Sequence, residues 1–291
     1  MPAAEVEISV DLVRALLEDQ HPDLAERGIS YAAEGWDAAM FRLGDDLAVR
    51  IPRRALSAPG ADIEIRWLPQ IAPHLPLPVP APVRSGSPTP FFPWSWTVVP
   101  WFHGQTWADA PVRDGFEAAT TLGWFVGALA APAPPDAPKP MYRGTPLIMR
   151  DVAMRQRVAT LGDAIDGSAV LAAWCAALSV PDLDGPRRWL HGDLHPANVV
   201  VRDARVVAVI DWNDLCGGDW ASDLAAGWMC FGPAEREVFR AAVGSVDDDS
   251  WARGRGWALN HAVACLESSA DNPRMRAVGE RTLDAVLADR D

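Results

Sequence analysis

The sequence predicts an α+β protein: a small lobe built on an antiparallel sheet over residues 1–103, then a mainly helical lobe over residues 104–291. Three observations carry this reading. A β-hairpin signal stands early, where Ala39-Met-Phe-Arg-Leu43 and Leu47-Ala-Val-Arg-Ile51 flank the turn residues Gly44, Asp45 and Asp46. Helical periodicity dominates after Gly104. One further pair of short apolar runs, Asn198–Arg202 and Val206–Ile210, interrupts that helical half.

Taken in order, residues 10–19 have helical spacing, with Leu12, Leu16 and Leu17 toward one side. The hairpin follows. Residues 61–71 read as a helix on Ile63, Trp67 and Leu68, with Pro69 expected to end or bend it. Eight prolines between residues 73 and 93 predict an extended segment that packs rather than coils. Residues 95–99 read as a strand. Beyond Gly104, helices are expected over 116–131, 148–161 and 168–178, with a proline-rich loop over 132–146. From Trp220 onward the pattern is helical, and no internal repeat is present.

Composition narrows the classes. A chain of 291 residues with 49% hydrophobic and 22% charged residues is globular rather than disordered. Its net charge of -13 opposes binding to nucleic-acid phosphates. The same charge suits a cationic small molecule or plain solubility. It does not choose a pocket: residues 1–104 hold 13 acids against 8 bases, and the remainder 26 against 18. Cys175, Cys216, Cys230 and Cys265 are widely spaced, which speaks against a zinc site or disulfide framework and fits a cytoplasmic protein. No signal peptide or membrane span is expected. All but one of the bases are arginine; Lys139 is the single lysine.

The chemistry concentrates in His191-Gly192-Asp193-Leu194-His195-Pro196-Ala197-Asn198, the two β runs, and Ile210-Asp211-Trp212. A hairpin formed by those runs returns the chain, so Asn198 at its start and Asp211 past its end can approach. An amide oxygen and a carboxylate are hard ligands that suit Mg²⁺ shared with phosphate oxygens. Asp193 is then free to accept a proton from a hydroxyl, the division of labour of phosphoryl transfer. Two other readings stand beside this one. His191, Asp193 and His195 alone resemble a metal-hydrolase ligand set. Asp and Asn are also ordinary turn caps.

The whole string resembles the catalytic core of the aminoglycoside phosphotransferase family, whose members share the protein-kinase-like two-lobed fold. The resemblance implies Asp193 as catalytic base, Asn198 and Asp211 as magnesium ligands, and His191 as support for the catalytic loop. It implies a structural role for Asp223, within Gly218-Asp-Trp-Ala-Ser-Asp-Leu-Ala225. In the first lobe, Gly35-Trp36-Asp37 resembles the turn that covers the nucleotide. Arg50 stands where kinases place a phosphate-binding lysine, with Glu64 as its expected partner. Either Arg53 or Arg54 can also reach a phosphate. Val98, Val99 and Trp101 lie where the family joins its lobes and are expected to meet the adenine edge.

The implied reaction is transfer of the γ-phosphate of ATP, or of GTP, to a hydroxyl of a small molecule, with an aminoglycoside-type antibiotic first among acceptors. A macrolide or metabolite kinase and a nucleotide-binding relative with little activity are the alternatives, the last kept open by arginine at position 50. Glu267 and Asp271 are candidate acceptor contacts. Trp212, Trp220, Trp228, Trp251 and Trp257 form either an aromatic acceptor pocket or core. Asp247-Asp248-Asp249 reads as an acidic patch or as a solvated helix start.

Overall fold

The hairpin around Gly44 forms the centre of a five-stranded antiparallel sheet. In the computed structural model, which describes residues 3–289, the chain divides into two units. The first comprises the residues up to His74, Pro78–His103 and the short return segment Val209–Leu215. It begins with helices α1 (Val10–Gln20) and α2 (Pro22–Ala25). Strands β1 (Ile29–Glu34), β2 (Ala38–Leu43) and β3 (Leu47–Pro52) follow, then helix α3 (Ala58–Ile71) and strands β4 (Arg84–Gly86) and β5 (Trp96–Pro100). The sheet order is β1-β2-β3-β5-β4. Phe41 pairs with Val49 and Leu43 with Leu47, and Gly44 takes the positive φ of 66° that the tight turn requires.

One face of this sheet buries Phe41, Leu43, Val49, Ile51, Trp96 and Val98 against Val13, Leu16 and Leu17 of α1. Those three leucine and valine positions explain α1: they recur at helical spacing, and Ser9 caps the helix by accepting from the Leu12 N–H. Strand β1 has no alternating burial pattern and lies at a sheet edge, so periodicity could not reveal it. Pro69, expected to end or bend α3, lies inside the helix, which continues to Ile71. The proline falls in the last turn, where buried Leu68 and Ile71 fix the chain by packing. The proline-rich segment packs as expected: Leu77 and Val79 are buried, and the Val83 N–H donates to the Val98 carbonyl.

The second unit comprises Leu75–Leu77, Gly104–Ala208 and the described residues from Cys216 onward. Its elements are β6 (Gln105–Thr106), α4 (Gly115–Leu129), α5 (Asp151–Leu161), α6 (Gly167–Leu178) and β7 (Arg188–Leu190). Then come β8 (Val199–Arg202), β9 (Arg205–Val209), β10 (Cys216–Gly218), α7 (Ala221–Leu224), α8 (Ala226–Cys230), α9 (Pro233–Val243), α10 (Asp248–Ser268) and α11 (Pro273–Ala288). Helix α10 packs against α5, α6, α7, α8 and α11 and forms the spine of this unit. Helices α4 and α9 pack closely because Gly127 is small: a Cβ there would lie 2.4 Å from the Val243 carbonyl oxygen.

Two expectations are corrected here, and one pair of alternatives is decided. The helix expected over 148–161 splits into a 3₁₀ turn, Leu147–Arg150, and α5. Ile148 and Met149 are exposed, so no packing continues the helical face through them. Asn198 ends a short 3₁₀ turn, Pro196–Asn198, rather than opening a strand; Pro196 fixes that turn and β8 begins at Val199. Of the five tryptophans of the second half, all buried, Trp212, Trp220, Trp228 and Trp251 form no broad aromatic pocket, and Trp257 alone lines the cleft at Asp193. Among the described residues no helix is long and apolar enough to cross a membrane, and the four cysteines are free thiols.

Candidate active site

In the second unit, β7 delivers the chain to His191-Gly192-Asp193. Gly192 adopts φ 83°, a left-handed turn that a side chain would strain. The loop is held from behind by Asp223 on α7. Its Oδ2 accepts from the His191 N–H at 2.6 Å and its Oδ1 from the Gly192 N–H at 3.0 Å. Burial pushes the Asp223 pKa up, opposed by His191 and these two N–H donors. The two bonds satisfy backbone groups that a sharp buried turn would otherwise leave unpaired.

Asp193 then meets four side chains. Arg143 Nη2 lies 2.7 Å from its Oδ1. His195 Nε2 lies 3.4 Å from Oδ2, and His261 Nδ1 4.0 Å from Oδ1. Asn198 Nδ2 donates to the Asp193 carbonyl oxygen at 2.9 Å. Burial works to raise the Asp193 pKa, but the charge of Arg143, followed by His195, outweighs it and holds the carboxyl well below its usual range. Burial, with the charges of His195 and Arg143, pulls His261 down to about 3, so its ring is neutral at physiological pH.

Asp193, His195 and His261 bring possible ligand atoms within 4.8 Å of one another. The set expected for a hydrolase is not the one assembled: His261 stands in it in place of His191, whose Nδ1 accepts from the Asp193 N–H. His195 Nδ1 accepts from the Ala197 N–H, and its Nε2 lies 3.3 Å from Asn198 Nδ2 and 3.4 Å from Asp193 Oδ2.

In the first unit, Arg50 lies in the central strand β3, between Met40 and Thr97. It is buried, and its fork splits: Nη1 donates to Glu64 Oε2 at 3.1 Å and Nη2 to Asp211 Oδ1 at 3.3 Å. Glu64 reaches it because Ala61, Glu64, Leu68 and Ile71 recur on the buried face of α3. Burial pushes the Glu64 pKa up to about 7, against the Arg50 charge. Burial works to lower the Arg50 pKa, but Glu64 and Asp211 outweigh it and raise it.

Asp211 sits past β9 at φ 64°, a strained value for a residue with a side chain. Its side chain is 49% exposed, and Asn213 Nδ2 also donates to its Oδ1 at 3.2 Å. Within the first unit the donors fit a hard cation such as Mg²⁺: Asp211 is an accessible carboxylate, and Asn213 Oδ1 beside it is buried without a partner. In the second unit, Asn198 turns its Nδ2 to the Asp193 carbonyl oxygen.

The remaining expected positions fare differently. Arg53 binds Glu34 and the Gly35 carbonyl, and Arg54 binds Asp37 and the Trp36 carbonyl, so both are engaged. Val98 and Val99 are buried in β5. The Val98 carbonyl already accepts from Val83, and the Trp101 N–H already donates to the Asp46 carbonyl. The Trp101 ring is stacked by Arg42. Asp247 caps α10, so the acidic run is a helix start. Glu267 lies 3.7 Å from Arg157, and neither it nor Asp271 lines the cleft at Asp193.

That cleft is lined instead by Arg143, Ser222 and Met229, with Trp257, Asn260 and His261 from α10. Sequence reading missed Arg143, Asn260 and His261. Arg143 lies in a proline-rich loop with no periodicity to place it. Trp257, Asn260 and His261 have the i, i+3, i+4 spacing of one helical face, a signal that was present but not distinguishable from core packing.

The fold and this loop define a kinase-like transferase. Residues 28–257 match the sequence model of the phosphotransferase enzyme family, and the chain belongs to that family. A sequence comparison with curated proteins finds no match. Among solved structures, the chain resembles the GDP and kanamycin complex of APH(2")-IIIa, at 17% identity and TM-score 0.70, over 96% of this chain and 99% of that one. It also resembles macrolide 2'-phosphotransferase MphH from Brachybacterium faecium, at 22% identity and TM-score 0.59, over 97% and 100% of the two chains. The streptomycin–ATP complex of APH(2")-IIa matches at 13% identity and TM-score 0.59, over 97% and 99%. At these identities the likeness establishes the fold, the α+β arrangement with a small antiparallel sheet and a helical remainder.

Proposed function

We propose that this phosphotransferase moves the γ-phosphate of ATP, or of GTP, to a hydroxyl of a small molecule, first among them an aminoglycoside-type antibiotic. The observation that carries this is the held loop. Asp223 clamps His191 and Gly192, and the next residue, Asp193, presents an ionised carboxylate in a cleft. The similar structures include aminoglycoside phosphotransferases with GDP or ATP bound and a macrolide phosphotransferase, which supports both the nucleotide and the acceptor class.

In this reading Asp193 accepts the hydroxyl proton and orients the oxygen toward phosphorus. Its depressed pKa ensures that it is ionised but makes it a weak base. An entering hydroxyl that displaces Arg143 raises its basicity when transfer requires it. Asn198 and Asp211 would hold Mg²⁺, which when bound would neutralise charge on the phosphate oxygens. Arg50 replaces the kinase lysine and Glu64 keeps it in place. The segment Val98–Trp101 meets the nucleotide base. Residues 1–103 serve as the nucleotide lobe and 104–291 as the catalytic and acceptor lobe.

The test is ADP release from Mg-ATP across aminoglycosides, macrolides and small metabolic alcohols. Acceptor-dependent release is expected for at least one of them. Zinc-dependent hydrolysis without nucleotide would overturn the reading.

A further inference from the structure

Helix α10 sends three neighbouring polar side chains into the cleft at Asp193, and each has an atom with no partner. Trp257 is 2% exposed and its Nε1–H is buried and unbonded. Asn260 is 8% exposed and its Oδ1 is buried and unbonded. His261 Nε2, one residue on, is in the same condition. An unpaired buried polar atom is costly. Three on one face of one helix, all lining a cleft, mark a surface made to be completed by a ligand.

The chemistry of the three narrows the ligand. Trp257 Nε1–H can only donate, and Asn260 Oδ1 can only accept. A hydroxyl satisfies both, because it accepts through its lone pairs and donates through its proton. An ammonium only donates: it would serve Asn260 and leave Trp257 unpaired.

We propose that Trp257, Asn260 and His261 recognise the acceptor through adjacent hydroxyls of a sugar ring, so that the hydroxyl phosphorylated at Asp193 is flanked by another hydroxyl and not by an amine. Amino groups of an aminoglycoside-type acceptor belong on its other positions. This rests on the phosphotransferase reading above and names the part of the acceptor that the cleft reads.

Two probes test it. Kanamycin carries one ring with a run of adjacent hydroxyls and another whose hydroxyls neighbour an amine, so one product can be mapped for phosphate position by NMR. Methyl glucoside and its amino-sugar counterpart are compared at high concentration by ADP release. Phosphate on the hydroxyl-flanked ring, or at least tenfold higher kcat/KM for the neutral glucoside, is expected. Trp257→Phe keeps the packing and removes only the N–H. It and Asn260→Ala should each raise acceptor KM about fivefold to tenfold, as loss of one hydrogen bond does, while kcat changes less than threefold. Phosphate on the amine-flanked hydroxyl, preference for the amino sugar, unchanged KM in both variants, or no consumption of nucleotide with any probe overturns the inference. The melting temperature with Mg-ATP separates the failures. A chain stabilised by Mg-ATP that uses none of these probes keeps the transferase reading and loses this one; a chain not stabilised by Mg-ATP loses both.

Discussion

Two arginines contact the two aspartates proposed to act in transfer, and they are held in different ways. Arg50 is part of the central strand of the sheet and is bracketed by Glu64 and Asp211, with its side chain 10% exposed. Arg143 comes from a loop that closes on a glycine turn, and its side chain is 29% exposed where it meets Asp193. Breaking a buried pair by removing one partner costs about 3–5 kcal/mol, whereas exposed pairs contribute about 0–1 kcal/mol. Arg50 is therefore fixed equipment. Arg143 lies between those limits, and an incoming ligand can displace it. The difference teaches that a cation on a strand can hold a cofactor, while one on a loop can yield its place to a substrate.

The largest effect is expected at the aspartate of the displaceable pair. Asp193→Asn should lower transfer by about 10² or more, the usual contribution of a general base, with the stabilisation by Mg-ATP retained. Near-normal turnover would remove Asp193 from the base role and leave Arg143 guarding nothing. Next comes the aspartate of the fixed pair. Asp211→Ala should remove most of the rise in melting temperature that Mg-ATP gives, because it deletes a proposed metal ligand and one of the two anchors of Arg50. Equal stabilisation by ATP with and without magnesium in the unmodified protein contradicts the metal assignment.

The same contrast explains what was legible in the sequence. Arg50 and Glu64 sit on regular elements and Asp211 just past one, with short-range signals: a Gly/Asp hairpin turn, a helical face, a strand end. Their residue numbers followed from pattern and resemblance together. Asp193 and Asn198 were legible because His-Gly-Asp-Leu-His-Pro-Ala-Asn is contiguous. Arg143 was not, because its meeting with Asp193 joins residues 50 apart through a loop whose path no periodicity encodes. Asn260 and His261 were hidden differently. Polar residues in a helix usually face solvent, and only the fold shows these facing inward. Strand β1 escaped because an exposed edge strand has no alternating pattern to read.

Arg50→Lys asks whether the fixed cation must be a fork. Lysine keeps the charge but has a single nitrogen, so it cannot hold Glu64 and Asp211 through separate groups as Nη1 and Nη2 do. ATP affinity should fall about tenfold, or about 1.4 kcal/mol, with acceptor KM unchanged. An unaltered affinity, measured by titration with Mg-ATP, would show that only the charge matters and would weaken the distinction between the two arginines.

Arg143→Gln should have the smallest effect at neutral pH and the most specific one in acid. The Arg143 charge is the leading influence that lowers the Asp193 pKa against burial, so its loss moves that pKa upward. A carboxylate base is lost as pH falls through its pKa, so the acid limb of the pH profile must move to higher pH. Which profile moves depends on whether Arg143 stays. The free enzyme sets the pH dependence of kcat/KM, and the substrate complex sets that of kcat. If the acceptor displaces Arg143, the limb of kcat/KM shifts and the limb of kcat does not, because in the complex the guanidinium has already left. If Arg143 remains paired through the reaction, both limbs shift together. The second outcome would make Arg143 as fixed as Arg50 and erase the contrast between them.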